Sequence, residues 1–435
     1  MQQDRTHRRY TTWLCSLRRG TLCLGICVSC LLIAALAACS SDSTIDDEHR
    51  VDLRQPMRFG ASSTAIASSE TEVTRAALQT THNDFKVGTW KAFGLATQQN
   101  VMDGYMVKYQ AETITDGTYS YNWYYQKDGS SEDVIKDQLL RYWDLGAFPY
   151  EFRAVAPYST DATITPDGLT INAAFQSQTM SNDVLTPANS ATVPEPCVVA
   201  NVSRTKDETN YIDTDKLRNN TEINTTGKAD ATREVHVPFH HLLSKVGFRI
   251  FIDNPMPTSM EHQSDYGVWI DNITVTIKKD GLITASSSYT ATNDQGLLRG
   301  TFGGNTTTSD EHTILFHNAY YNAEIQNLHY HLNKANAFDM TPDCIQQIPQ
   351  QGVKVHVRMT IHTNHVESDQ QVFNYDSWLS LDKTNTYGDL FTWEPDTKYI
   401  YYLHIPNLHG HEIYLHTCEI LPWDEVQTTD IPVEM

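Results

Sequence analysis

Histidine is the residue here most open to chemistry, and the chain carries 18 of them. Imidazole nitrogens bind metals and move protons near neutral pH. The pair in His362-Thr-Asn-His365 could chelate an ion on a loop, but no further residue fixes a ligand geometry around it. The stretch 411-HEIYLH-416 approaches the zinc-binding HExxH pattern, with its second histidine one position late. On a strand, His411 and His416 would also point to opposite faces. Asp and Glu together number 53, so a pair of carboxylates has no diagnostic weight as acid and base. There is no GxSxG elbow, phosphate-cradling loop or HExxH helix. The expectation is a protein that is not an enzyme, with no metal and no cofactor.

Cys39 is placed for a different chemistry. Arg5, Arg8, Arg9, Arg18 and Arg19 precede the apolar run 21-TLCLGICVSCLLIAALAA-38, and Cys39 follows it. A basic segment, an apolar segment and small residues make a secretory signal over residues 1–38. Leu36-Ala37-Ala38-Cys39 resembles the lipobox of bacterial lipoproteins. That resemblance implies cleavage before Cys39 and a diacylglycerol on its sulfur, a palmitate-type anchor worth roughly 0.8 kcal/mol per buried methylene. The other reading is an uncleaved signal-anchor helix, for which the run is long enough. The following SSDSTIDDE resembles the acidic signal that sends such lipoproteins to the outer surface. Five of the eight cysteines lie at or before Cys39. Cys197, Cys344 and Cys418 stand far apart without a CxxC pair, so they form at most one disulfide or remain buried thiols.

The formal net charge of −21 repels a phosphate backbone and excludes nucleic acid as a partner. It suits a solvated extracellular surface. Tyr, Thr, Val and Ile are plentiful and long 3.6-residue periodicity is scarce, which points to an all-β chain. Residues 39–83 read as a lipidated tether, with a weak strand candidate near 56-PMRFGASSTAI-66. A first β-sandwich spans 84–204, beginning with alternation in 84-DFKVGTWKAFGL-95 and continuing through 104-GYMVKYQAETI-114 and 119-YSYNWYYQ-126. Two strands flank a Pro-Asp-Gly turn in 162-ATITPDGLTINAAF-175, and 195-EPCVVANVSR-204 is another strand. Residues 205–233 are almost wholly polar and read as a linker or long surface loop. A second sandwich spans 234–435, opening with alternation in 234-EVHVPFHHLLSKVGFRIFIDNP-255 and closing with the strand 412-EIYLHTCEILPW-423. Strands at this spacing without helical interludes indicate antiparallel sandwiches rather than parallel α/β units.

The densest aromatic stretch is 142-YWDLGAFPYEFRAVAPYS-159. Phe148, Tyr150, Phe152, Ala154 and Ala156 share one parity, and Glu151, Arg153 and Val155 share the other. This reads as a half-buried strand with one core face. A ligand-contact reading is confined to Tyr142 and Trp143, before the strand begins.

Several stretches carry a family resemblance. The lipobox is followed by a TRA segment, Thr74-Arg75-Ala76. The aromatic stretch looks like the "YWp…yeFyAyaP" signature of fimbrillins, and 237-VPFHHLLSKVGFRI-250 looks like their "v.F.H.lskvrf.i". Leu421-Pro422-Trp423 resembles their terminal "v..W". In order and over most of the mature chain, the sequence resembles the fimbrillin family of Bacteroidota-type surface lipoproteins. The resemblance implies two tandem transthyretin-like Greek-key β-sandwiches. It also implies a fimbrial (pilus) subunit in cell adhesion, with other fimbrial subunits as partners, the outer membrane reached through the lipid, and host or bacterial surface ligands. In that family an arginine-specific protease removes an N-terminal strand, and donor-strand exchange fills the groove. Arg75 best matches the trimmed position, with an ordinary exposed arginine as the other reading and Arg58 as a second candidate. Ile431, Val433 and Met435 alternate in the C-terminal tail and make a candidate donor strand, the other reading being a frayed terminus. A non-polymerising lipoprotein that binds glycan or host protein, through a surface tryptophan such as Trp269 or Trp393, is the alternative.

Overall fold

Period-two alternation becomes strand throughout the computed structural model. It describes residues 57–63, 84–93, 97–113, 119–127, 138–186 (apart from 139, 145, 146, 148 and 160), 198–204, 234–253, 267–292, 296–318, 328–364, 371–408 (apart from 383) and 413–423. Cys39, Arg75, Ile431, Val433 and Met435 lie outside these residues, as do Cys197, His365 and His411.

The first strands are β1 (Arg58–Ser63), β2 (Asp84–Phe93), β3 (Thr97–Thr113), β4 (Tyr119–Gln126) and β5 (Tyr150–Ala156). The Pro-Asp turn separates β6 (Ala162–Thr165) from β7 (Gly168–Ile171). Three two-residue strands follow, β8 (Phe175–Gln176), β9 (Met180–Ser181) and β10 (Val184–Leu185), and then β11 (Val198–Arg204). Next come β12 (Glu234–His241), β13 (Ser244–Ile252), β14 (Gly267–Ser286), β15 (Ser288–Thr292), β16 (Thr301–Gly303) and β17 (Thr307–His317). The chain closes with β18 (Phe338–Asp339), β19 (Ile345–Gln347), β20 (Gln350–Asn364), β21 (Gln371–Trp378), β22 (Phe391–Trp393), β23 (Thr397–Ile405) and β24 (Tyr414–Pro422). Helix among the described residues is limited to 3-10 turns at Leu297–Arg299, Leu328–Tyr330 and Lys334–Asn336. None is long and apolar enough to cross a membrane.

These strands make sheets of seven, eight, five and four strands. The seven-stranded sheet runs β1-β12-β11-β5-β2-β3-β4, and the four-stranded one β16-β15-β7-β6. The eight-stranded sheet follows β10-β9-β17-β14-β20-β21, with β22 beside β20 and β8 beside β14. The five-stranded sheet is β18-β13-β23-β24, with β19 beside β13. Strands from both sides of residues 205–233 share sheets: β12 joins β11, β15 joins β7, and β8 joins β14. Most pairs are antiparallel, as expected, but β1–β12, β13–β23 and β9–β17 are parallel.

One core fills the space between the eight- and five-stranded sheets, where Val246, Phe248, Ile250 and Ile252 of β13 face Ile273, Val275 and Ile277 of β14. A second core is lined mainly by the seven-stranded sheet, with Phe59, Phe85, Tyr105, Tyr125, Phe152 and Phe239 drawn from six of its strands. A sheet can enclose its own core only by curling, and Phe59 on one edge strand reaches Tyr125 on the other with ring centroids 5.7 Å apart. A third core lies between this sheet and the four-stranded one, where Trp90 and Val155 meet Ile164, Leu169, Tyr289 and Phe302.

The third core corrects the reading of β5. Tyr150, Phe152, Ala154 and Ala156 are buried as expected, but Arg153 and Val155 on the opposite parity are also buried. The four-stranded sheet covers the face that the alternation assigned to water. Arg153 is 0% exposed. Its Nη1 donates to Thr165 O at 3.0 Å and its guanidinium lies 5.2 Å from the Trp90 ring centre. Nε and Nη2 have no hydrogen-bond partner among the described residues. Burial pulls the Arg153 pKa down, against the opposing pull of Glu151 and Asp167. Gly88, opposite Arg153 in the register, makes room for this arrangement, because a Cβ there would sit 2.5 Å from Trp90 Cη2. A buried charge that is only partly satisfied costs several kcal/mol. Arg153→Met keeps the volume and removes the charge, so its urea midpoint should equal or exceed that of the parent. A loss of stability beyond about 1 kcal/mol would show that the guanidinium is held by more than Thr165 and Trp90.

Candidate functional site: the β1 groove

The weak strand candidate of the tether is β1, and it occupies an edge of the curled sheet. It lies parallel to β12, in register from Arg58↔Glu234 to Ser63↔Phe239. Met57 and Phe59 are each 1% exposed. The Phe59 ring meets Phe85 at 6.0 Å, Tyr125 at 5.7 Å and Phe152 at 6.1 Å, each close to edge-on. Val235, Val237 and Phe239 of β12 line the same core. Burying a side chain of this size contributes roughly 1.5–3 kcal/mol, and each edge-to-face ring pair roughly 0.5–1.5 kcal/mol more.

Most of β12 depends on β1 for its ladder. Among the described residues, β12 pairs with β11 only at His240↔Val199 and His241↔Val198. Residues 234–239 have β1 as their described ladder partner, so losing β1 would leave this main chain unpaired. Arg58, the second cleavage candidate, lies inside the β1 ladder opposite Glu234, where a protease finds no free extended chain.

The segment around residue 141 bridges the two sheet edges. Met57 N–H donates to Arg141 O at 2.7 Å. Arg141 N–H donates to the Tyr125 hydroxyl at 2.8 Å, and Arg141 Nε donates to the Tyr105 hydroxyl at 2.9 Å. Trp143 is 9% exposed and packs on Tyr150, with ring centroids 4.9 Å apart, so it belongs to the core rather than to a ligand contact. Tyr142 beside it is 43% exposed. Asp144 N–H donates to the Tyr150 hydroxyl at 2.7 Å, and its carboxylate takes Lys91 Nζ at 2.6 Å.

The two later signature stretches meet in space. His240 Nδ1 lies 2.8 Å from Asp396 Oδ2, and His241 N–H donates to Asp396 Oδ1 at 2.9 Å. The His241 ring stacks on Trp423 at 4.3 Å, and Lys245 Nζ lies 4.5 Å from the Trp423 ring centre. The histidine motif and the terminal Leu-Pro-Trp thus build one corner under β12.

The remaining chemistry-bearing residues are dispersed. His362 lies against Trp269, and His416 against Phe251. Among the described residues no group of three His, Cys, Asp or Glu side chains could hold a metal. Cys344 and Cys418 are free thiols, and burial raises the pKa of each. Trp393, proposed from sequence as a glycan contact, is a core residue whose Nε1 donates to the Tyr401 hydroxyl at 2.9 Å. Sequence alternation gave no sign of Arg141 or of Tyr105 and Tyr125 as its holders. The proline of 56-PMRF-59 and the two apolar residues after it were the available signal for the buried pair.

No protein-family model matches the chain, and no curated protein does. Among solved structures, it is similar to a candidate cell adhesion protein from Bacteroides ovatus ATCC 8483, at 13% identity and a TM-score of 0.37, over 85% of this chain and 98% of that one. A second, from Bacteroides uniformis ATCC 8492, has 14% identity and a TM-score of 0.34 over 86% and 99% of the two chains. A third, from Parabacteroides distasonis ATCC 8503, has 9% identity and a TM-score of 0.34 over 85% and 98%. Proteins this distant assign no role to any residue of this chain.

Two measurements probe the groove. Phe59→Ala should cost about 3 kcal/mol and speed amide exchange at 235–237 and 239 while leaving β5 protected. Uniform loss of protection would mean that β1 is no separable unit. The second is pH. Burial raises Tyr125 and Tyr150 from their ordinary 10 to about 12. The unfolded chain therefore releases these protons before the folded chain does. Their contribution to stability is complete below pH 10 and is lost as pH climbs from 10 to about 12. Thermal melting across that window should fall steeply for the parent and less so for Tyr125→Phe.

Proposed function

We propose that the chain is a structural or accessory subunit of a cell-surface fimbria that supports adhesion. In this reading Cys39 carries the lipid through export to the outer membrane. An arginine-specific protease then cuts at Arg75, β1 departs, and an extended strand from another subunit takes its place on β12. The observation that carries the reading is the position of β1. It fills an aromatic groove at a sheet edge, and Arg75 falls between its end at Ser63 and the start of β2 at Asp84. A cut there detaches β1 while leaving every described strand whole. The main chain of residues 234–239 then lacks its partner, which favours refilling by strand addition.

The candidate donor tail supplies a matching pattern. Pro432-Val433-Glu434-Met435 repeats the order of Pro56-Met57-Arg58-Phe59: proline, apolar, charged, apolar. Ile431, Val433 and Met435 would then lie on one face of the added strand.

The second reading, a non-polymerising lipoprotein that binds glycan or host protein, draws on one surface loop. Leu381, Tyr387 and Leu390 are 59%, 78% and 67% exposed. The loop is held by Asp389, which accepts from Leu381 N–H at 2.7 Å and from Ser380 Oγ at 2.8 Å. Apolar groups on an ordered loop lose little freedom on binding.

The test treats lipid-free precursor with an arginine-specific protease. The expected result is cleavage at Arg75 followed by ladders that survive mild denaturant, absent in Arg75→Ala. Clean cleavage that leaves a uniform monomer would overturn the fimbrial reading. Glycan-array binding by that monomer, lost in Tyr387→Ala, would establish the second.

A further inference from the structure

One face of the eight-stranded sheet lines the first core, and the other meets solvent. Alternation along β20 puts His356, Arg358, Thr360 and His362 on the outer face, and the register brings the outward side chains of β14 and β21 beside them.

Two indoles lie down on this face. Trp378 of β21 stands opposite His356, and its ring covers the imidazole, with centroids 4.4 Å apart and His356 only 6% exposed. Lys278 flanks that ring, its Nζ 5.5 Å from the ring centre and held toward β17 by Glu311 at 2.6 Å. Trp269 of β14 stands opposite His362, and its ring folds over Gly267, where a Cβ would sit 1.8 Å from Trp269 Cη2. Glycine two residues earlier on the same face is what lets this ring lie flat. Both indoles are half-buried, each against the sheet. Six residues of β20 separate the two pairs, roughly 20 Å along the strand.

The ground between them is polar. Arg358 and Asp376 pair at 3.1 Å and are 66% and 63% exposed. Thr360 Oγ1 donates to Asn374 Oδ1 at 3.0 Å. Phe316 on β17, 39% exposed, stands to the side of this track.

That order discriminates among ligands. A protein interface gathers its apolar groups at the centre and rings them with polar ones, whereas these indoles stand at the two ends. Nucleic acid also stacks on aromatic rings, but the net charge of −21 repels it. A peptide that adds a strand needs a sheet edge, and this is a face. A sugar chain meets both demands. Each pyranose offers an apolar C–H face to a flat ring and rim hydroxyls to amide, hydroxyl and guanidinium groups. Arg358 and Asp376 offset each other, and Asp271 at the β14 bulge is exposed, so the track repels an acidic sugar.

We propose that the outer face of the eight-stranded sheet, from Trp269 to Trp378, binds a linear uncharged oligosaccharide laid along β20. This site rests on the glycan arm of the second reading and gives it a contact apart from the Tyr387 loop. It does not depend on whether the chain polymerises.

The test titrates the uncut lipid-free chain with linear gluco-, manno- and xylo-oligosaccharides, from monosaccharide to hexasaccharide, beside oligogalacturonides as the acidic series. Affinity should rise with length until one molecule covers both indoles, and the acidic series should not bind. Trp269→Ala and Trp378→Ala should each weaken the best neutral hexasaccharide about tenfold, the loss of roughly one ring contact. Gly267→Ala removes no aromatic group but lifts the Trp269 ring off the sheet, so it should weaken binding as much while the melting temperature holds. Unchanged binding in Trp269→Ala and Gly267→Ala would overturn the site. Equal affinity for monosaccharide and hexasaccharide, or preference for the acidic series, would do the same.

A second arm alters no residue. N-bromosuccinimide oxidises accessible indoles, and the bound hexasaccharide should shield Trp269 and Trp378 in peptide maps. A complex that forms without shielding them would sink the site even where a variant fails to fold. If that complex is also lost in Tyr387→Ala, the glycan belongs to the loop, and the second reading stands without this face. Failure of every neutral sugar to bind would remove both the site and the glycan arm, while the protease experiment still judges the fimbrial reading.

Discussion

The chain passes from one core to another in two residues. β12 ends at His241 inside the curled sheet, and β13 begins at Ser244 in the five-stranded sheet. Leu242 and Leu243 between them are buried in the third core. A corner this short gives β12 no freedom to drift, so its direction is set by its neighbour's packing. Asp396 clamps the corner from the far end of the chain: it takes His240 and His241 and donates its own N–H to Leu243 O. Trp423 closes the same knot by stacking on His241. Two stretches separated by most of the second half therefore act as one support.

That support holds the strands around β1 independently of it. β1 contributes a six-pair parallel ladder and the buried Phe59, with the buried Met57 just before it. The strands that define the groove are fixed without it: β5 sits between β11 and β2, and β12 is held at its end by the corner. An edge strand is ordinarily a hazard because its open main chain recruits others. Here the edge is covered by a segment of the same chain whose attachment runs through residues 64–83 alone.

Much of this architecture was legible in the sequence, and the failures have physical causes. β4 coincides with the stretch read from alternation, and the Pro-Asp turn falls where its residues require it. The aromatic parity of Tyr150, Phe152, Ala154 and Ala156 correctly marked a core face. What alternation cannot reveal is a second covering layer. Arg153 read as solvated because charge normally seeks water, and only the folding back of the β6–β7 hairpin shows otherwise. The two-residue strands β8, β9 and β10 are too short to carry a period. The parallel pairing of β1 was equally hidden, since a strand's pattern does not encode its partner's direction. The groove was legible only as the pattern in 56-PMRF-59, and its Arg141 fixture not at all, because a main-chain carbonyl has no residue signature.

The pairing of β1 with β12 also bears on the order of folding. The two strands are separated by most of the first half of the chain, and contacts this distant form slowly. During synthesis β1 emerges long before the strand it pairs with. The four-stranded sheet has the same delay, since β6 and β7 must wait for β15 and β16. The curled sheet is therefore completed late, by a segment made early. Until then residues 234–239 of β12 and the β1 segment each lack the ladder partner that the folded sheet gives them.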